Sequence, residues 1–476
     1  MAGPWTLGLL CGLLAAALAE ATLSSPAVLS LGPEVIKEQL TQKLEDHNAT
    51  TILQQLPLLS AVQHRSNRKI PLLRNLVNTV MKSIIWLKVT SASILQMQIQ
   101  SLPYHQEMMV KIPLNMVAGL NTPLVRTIVE FHMESEAQAL VRVERSNSTS
   151  RRLVLSECFC SSSNLRIRLL HRLSFVVNAL AEKIRNLLVP ALPELVQTEL
   201  CPVIKAAFDD MYTSLLQLMT VPIPLNPGGL VFDPMFLIIE EDTVRFYLEA
   251  RVLNSKGQVT TWFQSSEMTL TVPKLGNTSS SFVIRQDLVN AVIATLLPSE
   301  NFVILLDYAH PDVARKLKLS LQKISKQVAD RLDNTQIVKM VTRNVPYLHL
   351  IPGSSTVAQQ IVMDIFATDK KPHPLFTLGI ETKSEVQFYN EGDRVMINFK
   401  DISSDRIRLM NSDIGVFNTN LLKDAITMIL TAELLPNQNS KLRAGICMPI
   451  VKALGCETAS WSSAQEILIL TPDSDF

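Results

Sequence analysis

Apolar and polar residues alternate strictly over several stretches of the chain. Leu95, Met97 and Ile99 interleave with Gln96, Gln98 and Gln100, and Val129, Phe131 and Met133 interleave with Glu130, His132 and Glu134. The longest run sets Val244, Phe246, Leu248, Ala250 and Val252 against Arg245, Tyr247, Glu249 and Arg251. A period of two predicts antiparallel sheet with one face buried and the other in water. Elsewhere the spacing is helical. Val313, Leu317, Leu321, Ile324, Val328 and Leu332 form one stripe, with Lys316, Lys323, Lys326 and Asp330 off it. Phe175 to Leu188 and Glu194 to Met219 predict a second helical pair, bent at Pro190 and Pro193.

This plan occurs twice. PLVRTIVE at Pro123 and PLFTLGIE at Pro374 are each followed by S-E-x-Q. Further on, RLVLSECFC opens at Arg152 with SSNLRIRLL after it, and RVMINFKDI opens at Arg394 with SSDRIRLM after it. Several matches in one order point to an internal duplication with a period far beyond that of solenoid repeats. The fold class expected is α+β, with two pseudo-symmetric domains. In each, one or two long helices lie on a highly curved antiparallel sheet. A Pro-rich stretch, VPIPLNPGG at 221–229, reads as a linker between domains at 22–220 and 230–476.

The N-terminus sets the expected compartment. An apolar run from Trp5 to Ala19 is too short to span a bilayer comfortably, and small residues at Ala17, Ala19 and Ala21 suit a signal peptidase. Residues 1–21 are therefore expected to be a cleaved signal peptide and the mature chain to be secreted. No later run reaches the ~18 unbroken apolar residues of a transmembrane segment. Three N-glycosylation sequons fit export: Asn48, Asn147 and Asn277. The last two lie in Ser/Thr-rich turns, whereas Asn48 borders a helical segment. Beyond the signal stand five cysteines, Cys158, Cys160, Cys201, Cys447 and Cys456, an odd number that leaves a free thiol or an intermolecular bridge. No paired CxxC units suggest zinc; if 447–456 is extended its ends lie about 30 Å apart, so those two cysteines pair only across a turn.

Composition narrows the function. The 476 residues are 47% hydrophobic and 18% charged with a net charge of +1, which excludes a disordered chain and gives no broad basic field for nucleic acid. No G-x-S-x-G, H-E-x-x-H, G-x-x-x-x-G-K or G-x-G-x-x-G string is present, and the His residues are scattered, so an enzyme is not expected. The acidic clusters Asp209-Asp210 and Glu240-Glu241-Asp242 read as solvated helix and turn positions, and His132 as a residue on a wet sheet face.

VLSEC at Val154 to Cys158, LRIRLL at Leu165, and LVPALPELVQTELCPVI running to Ile204 resemble the long PLUNC (palate, lung and nasal epithelium clone) proteins. FTLGIE at Phe376 and LLPNQNSKLRAGI at Leu434 are similar to their second half. These belong with bactericidal/permeability-increasing protein (BPI), lipopolysaccharide-binding protein and the plasma lipid-transfer proteins, and the resemblance covers essentially the whole mature chain. It implies a boomerang of two barrel-like domains joined by a central sheet, each with an apolar tunnel for acyl chains. It also implies secretion onto mucosal surfaces, a role in innate defence, and lipopolysaccharide or phospholipid as ligand, with no cofactor beyond bound lipid. The family disulfide maps to Cys158 with Cys201, Cys160 being the runner-up on the same strand face. Closing such a loop contributes about 4 kcal/mol in the chain-entropy model.

A tunnel for hydrocarbon needs wide, dry, adaptable walls, and a chain rich in Leu, Ile and Val with 17 Met and few aromatics suits that. The same composition also describes ordinary packed cores. For anionic head groups the expected contact is the basic cluster His64, Arg65, Arg68, Lys69 and Arg74, with Arg145, Arg151 and Arg152 beside the Asn147 sequon as a second set. The modest excess of positive charge in the first half favours binding and modulation of host responses over killing by charge. A lipid carrier or surface-active mucus component working through host protein partners is the alternative.

Overall fold

The computed structural model describes residues 25–68, 84–102, 106–123, 128–146, 150–161, 165–170, 175–263, 272–276, 278–332, 336–366, 373–453 and 459–472. The expected signal segment, Asn147, Asn277 and Cys456 lie outside them. The chain divides into two compact units. The N-terminal unit is Ser30–Gln217 with Met235–Phe246, and the C-terminal unit is Met1–Leu29, Leu218–Pro234 and Tyr247–Phe476.

The described chain opens with β1 (Ala27–Leu31) and three helices, α1 (Pro33–Asp46), α2 (Ala49–Gln54) and α3 (Leu58–Arg68). Pro33 and Glu34 start α1 and Lys43 stands in its last turn, each where the helix ends favour it. Then come β2 (Trp86–Ile94), β3 (Gln98–Leu102), β4 (Glu107–Asn121), β5 (Val129–Ser146), β6 (Ser150–Cys160) and β7 (Arg166–Leu169), followed by α4 (Phe175–Glu199) and α5 (Cys201–Thr220). The strands form one sheet in the order β2-β4-β5-β6, with β3 on β4 and β7 on β5. Along β4 the inward residues Met108, Val110, Ile112, Leu114 and Met116 are all buried, and β5 buries Val129, Phe131 and Met133 as its alternation predicts. Glu130 and His132 stay partly in water, His132 facing Glu134 at 3.2 Å.

Two expectations needed correction here. Residues 95–97 do not continue a strand; they separate β2 from β3. The opposing residue is Pro113 of β4, which has no N–H to give, so the ladder breaks after Ile94↔Leu114 and resumes at Gln98↔Lys111. The long helical pair does not part at its prolines either. Helix α4 runs through Pro190 and Pro193, and helical bonds from the Leu200 N–H to Val196 and from the Ile204 N–H to Leu200 carry the path on into α5. Buried Ile184, Leu188, Leu192 and Val196 hold one stripe of α4 across both prolines, so packing outweighs the lost backbone bonds.

A β-bulge between Leu140 and Val141 decides which residues of β6 face inward. Ser156 is the extra residue, its hydroxyl returning to the Leu140 carbonyl at 3.1 Å. Leu153 and Leu155 point inward before it; after it, Cys158 and Cys160 do, opposite buried Ala139 and Ala137. Cys158 is bonded to Cys201 at the start of α5, with the Cα atoms 5.7 Å apart.

The C-terminal unit contains β8 (Ile223–Pro224), β9 (Gly229–Glu240), β10 (Thr243–Leu253), β11 (Val259–Phe263), β12 (Ser280–Arg285), α6 (Gln286–Leu296) and β13 (Asn301–Leu305), the first part of β10 and the last part of β9 grouping with the other unit. Next are α7 (Leu306–Ala309), α8 (Pro311–Gln322), α9 (Lys326–Arg331), β14 (Ile337–Thr342), β15 (Tyr347–Ile351), β16 (Ser354–Phe366), β17 (Phe376–Glu391) and β18 (Arg394–Ser412). Last are α10 (Lys423–Ile429), α11 (Leu435–Leu442), β19 (Ile446–Cys447), α12 (Pro449–Ala453), β20 (Ala459–Ala464) and β21 (Ile467–Pro472). One sheet runs β13-β14-β16-β17-β18-β19 with β15 on β16; another runs β20-β21-β12-β1-β10-β9-β8 with β11 on β10. Three register shifts between β17 and β18 bend that long hairpin. The stripe from Val313 to Leu332 is shared by α8 and α9 and packs on Val338, Met363, Leu378 and Ile426 in a single core.

The 221–229 stretch is folded. Ile223 pairs with Leu230 and Pro224 with Gly229, and Ile223 and Leu225 are buried. Gly228 makes the turn at φ +110, where a Cβ would lie 2.3 Å from the Leu253 carbonyl oxygen.

Candidate functional site

The β17–β18 hairpin turns at Gly392, whose φ of +61 suits glycine. Just past the turn, alternate residues of β18 take opposite faces. Arg394 pairs with Cys447 and Val395 with Ile446. The two faces of this short ribbon border two different spaces.

Val395, Ile397 and Ile446 border a cavity of about 40 Å³. Leu288, Val289 and Val292 of α6 form another wall, three residues on one helical face. Phe388, Met448 and Trp461 complete that end, and residues of β9, β12 and β21 close the rest, all of them apolar. The one polar group among these side chains, the Trp461 indole N–H, donates to Asn390 Oδ1 at 2.8 Å, leaving the ring itself as apolar surface. Phe388 lies beside it with ring centroids 6.0 Å apart. Small-molecule pockets usually enclose ~300–1,000 Å³. The cavity at rest therefore has room for a methylene or two, and a longer chain enters only as side chains part. Met448, unbranched, and Phe388, partly exposed, are the walls best able to move.

Arg394 and Cys447 border a wider cleft of about 620 Å³ on the other face, lined by polar and apolar residues together. Lys441 and Glu300 meet there as an ion pair. Desolvation holds the Lys441 ammonium below the usual lysine range. Arg394 donates to the Ala444 carbonyl, and the Cys447 thiol lies 3.3 Å from Asp393 Oδ2. Burial and that carboxylate both push the Cys447 thiol up.

The expected head-group cluster falls largely outside the described residues. Lys69 and Arg74 lie outside the described residues; His64, Arg65 and Arg68 fall on α3, with their side chains outside them too. The second basic set is brought together at the end of the β5–β6 hairpin, where Arg145 pairs with Arg151 and Glu144 with Arg152, and Arg151 lies 5.9 Å from the Phe236 ring. Asn48 stands exposed between α1 and α2 in the left-handed conformation (φ 54), open to a glycan. Asp210 accepts from His47 Nε2 at 2.7 Å, and Glu240 pairs with Arg245, so these carboxylates are surface partners. Among the described residues no three His, Cys, Asp or Glu gather as metal ligands. One helical stretch there, Leu180–Thr220, is long and apolar enough to cross a membrane. The Cys158–Cys201 bridge ties it to β6, and Ile204, Phe208 and Met211 are buried along it.

The cavity walls were not legible in the sequence, since no local pattern distinguishes Val292 or Ile446 from any core residue. The available signal was the hairpin string around Gly392, with Phe388, Val395 and Ile397 alternating about it.

The LBP / BPI / CETP family matches twice, its N-terminal domain at residues 43–219 and its C-terminal domain at 304–475. A Homo sapiens protein described as BPI fold-containing family B member 1 is 55% identical over 474 residues, all of this chain and 98% of the relative. Its Mus musculus counterpart is 51% identical over the full length of both. Among solved structures, the crystal structure of lipopolysaccharide binding protein aligns with a TM-score of 0.52 at 15% identity, over 94% of this chain and 98% of that one, a likeness of fold.

Proposed function

Since the chain belongs to the LBP / BPI / CETP family, with its two curved antiparallel α+β domains, we propose that it is a secreted, non-enzymatic protein that holds lipid acyl chains in its apolar interior. On this reading its ligands are bacterial lipopolysaccharide or phospholipid at mucosal surfaces, and holding them modulates the host response. The observation that carries it is the cavity walled only by apolar side chains, with the one polar atom of its wall already bonded. A polar group at that wall would oppose hydrocarbon by ~1–3 kcal/mol, whereas each methylene that enters gains ~0.8 kcal/mol. Six to eight methylenes suffice for roughly 5–6 kcal/mol of gross burial, from which the cost of opening the 40 Å³ cavity is drawn. Native mass spectrometry of the protein from its own secretion tests this. Co-purifying lipid, reduced in Val292→Phe, is expected; protein that emerges lipid-free and ignores added phospholipid and lipopolysaccharide overturns the reading.

A further inference from the structure

Cys160 does not line the apolar cavity, yet it stands two residues along β6 from the bridge that fixes α5. We propose that Cys160 is an exchange partner for the Cys158–Cys201 disulfide, so that α5 can be bonded to β6 at either of two positions one pleat apart. The bulge at Ser156 turns both cysteines to the inner face of the sheet, opposite Ala139 and Ala137, whose small side chains leave the sulfurs room. Two residues along a strand is about 6.7 Å. The thiol of Cys160 is partly buried and lies 3.1 Å from the Ser135 hydroxyl.

The direction of α5 brings Cys201 toward it. Cys201 is bonded at Cys158, and the Tyr212 phenol, further along the same helix, meets the backbone of Leu153. The helix advances about 16 Å between those residues and the strand about 17 Å, so helix and strand run antiparallel. The N-terminal end of α5 therefore lies on the Cys160 side of Cys158. Helical Cα–Cβ bonds tilt toward the N-terminus, which inclines the Cys201 side chain the same way. Helical bonds run through Leu200, whose N–H reaches the Val196 carbonyl and whose carbonyl accepts from Ile204, each at 2.9 Å, so the exchange draws on side-chain rotation of Cys201 and Cys160.

In the exchange, Cys160 loses its proton to water and its thiolate attacks Cys201 Sγ. A Cys160–Cys201 bond forms as the Cys158–Cys201 bond breaks, and Cys158 leaves as a thiolate that takes up a proton. No electrons enter or leave the protein. Burial holds the Cys160 thiol above the usual cysteine range, which slows the step and keeps the resting pairing in place.

The test uses the full-length oxidised protein at mildly alkaline pH, quenched in acid at intervals, alkylated and digested with chymotrypsin. Cleavage after Phe159 separates the two strand cysteines. The wild type is expected to accumulate a Cys160–Cys201 peptide to a plateau at a rate independent of protein concentration, and Cys160→Ser to retain Cys158–Cys201 alone. Cys158→Ser is expected to carry a Cys160–Cys201 bridge from the start. A wild type that keeps only Cys158–Cys201 after prolonged incubation overturns the proposal whatever the variants do. So does a rate that rises with protein concentration, because the exchange would then pass between molecules.

Discussion

The β5–β6 hairpin of the N-terminal unit and the β17–β18 hairpin of the C-terminal unit come from matching strings, yet each holds its helix differently. Both place a buried serine on the inner face, Ser135 in one and Ser384 in the other, and both carry a bulge close by. In the first hairpin the inward position past the bulge is Cys158, bonded to α5. In the second, the corresponding stretch holds buried Phe399 and Ile402, and the Asn439 side chain of α11 clamps the backbone of Phe399. Its amide accepts from the Phe399 N–H at 2.9 Å and donates to the Phe399 carbonyl at 2.8 Å. One copy thus solves with a covalent bond what the other solves with two hydrogen bonds and apolar packing. A disulfide acts mainly by restricting the unfolded chain, while the amide clamp acts in the folded state, so the two units are expected to lose stability to different insults.

The largest expected effect separates them directly. Cys201→Ser opens a loop of sequence separation 43 and should cost the N-terminal unit about 4 kcal/mol, leaving the C-terminal unit unmoved. Unit-resolved hydrogen exchange during denaturant unfolding reads both. Cys158→Ser should cost far less, since Cys160 stands two residues along the same face. Equal losses in the two variants would mean that only one staple position exists.

Next in size is the clamp. Asn439→Ala leaves the Phe399 N–H and C=O without their partner and should destabilise the C-terminal unit by about 2 kcal/mol. Asn439→Asp keeps the acceptor and should recover part of that. A reducing agent should reproduce the first effect and leave this one unchanged. Exchange of the Phe399 amide is the local readout; protection that survives in Asn439→Ala would show that the sheet, not the side chain, holds this strand.

The cavity belongs to the C-terminal half of the comparison. Val292→Phe adds bulk to a space of about 40 Å³ at the α6 wall. It should weaken acyl-chain binding about tenfold, about 1.4 kcal/mol, by excluding one or two methylenes. The strain of overpacking should remain within ~1–3 kcal/mol. Lipid binding measured by displacement of a fluorescent fatty acid distinguishes this from unfolding, which Asn439→Ala should approach without touching the cavity.

What the sequence revealed follows the range of the physics. Period-two runs such as 244–252 depend only on which face is wet, and there every alternate residue is buried as expected. The duplication was legible because matching hairpins keep matching strings. The break at 95–97 was not, because its cause, Pro113, lies on another strand and acts only once the register is set. The continuity of α4 through two prolines rests on tertiary packing that outweighs local propensity. For the site, the Cys158–Cys201 pairing came from family resemblance. The inward aim of Cys158 and Cys160 depends on a bulge at Ser156 that no spacing rule announces. The cavity walls come from α6, β9, β18, β19 and β20, elements brought together only by the fold.

The smallest effect calibrates the rest. Arg408 and Glu381 pair across β18 and β17 at 3.2 Å with both side chains largely exposed. A charge pair in water gains little over its hydrated partners and gives up side-chain entropy to form, so Arg408→Ala should change the stability of the C-terminal unit by less than about 0.5 kcal/mol. Added salt should shrink even that. The clamp at Asn439 grips Phe399, nine residues earlier on the same strand, and differs chiefly in being partly shielded from solvent. If Arg408→Ala proved as costly as Asn439→Ala, shielding would not be what makes the clamp strong, and the contrast with the disulfide would have to rest on chain entropy alone.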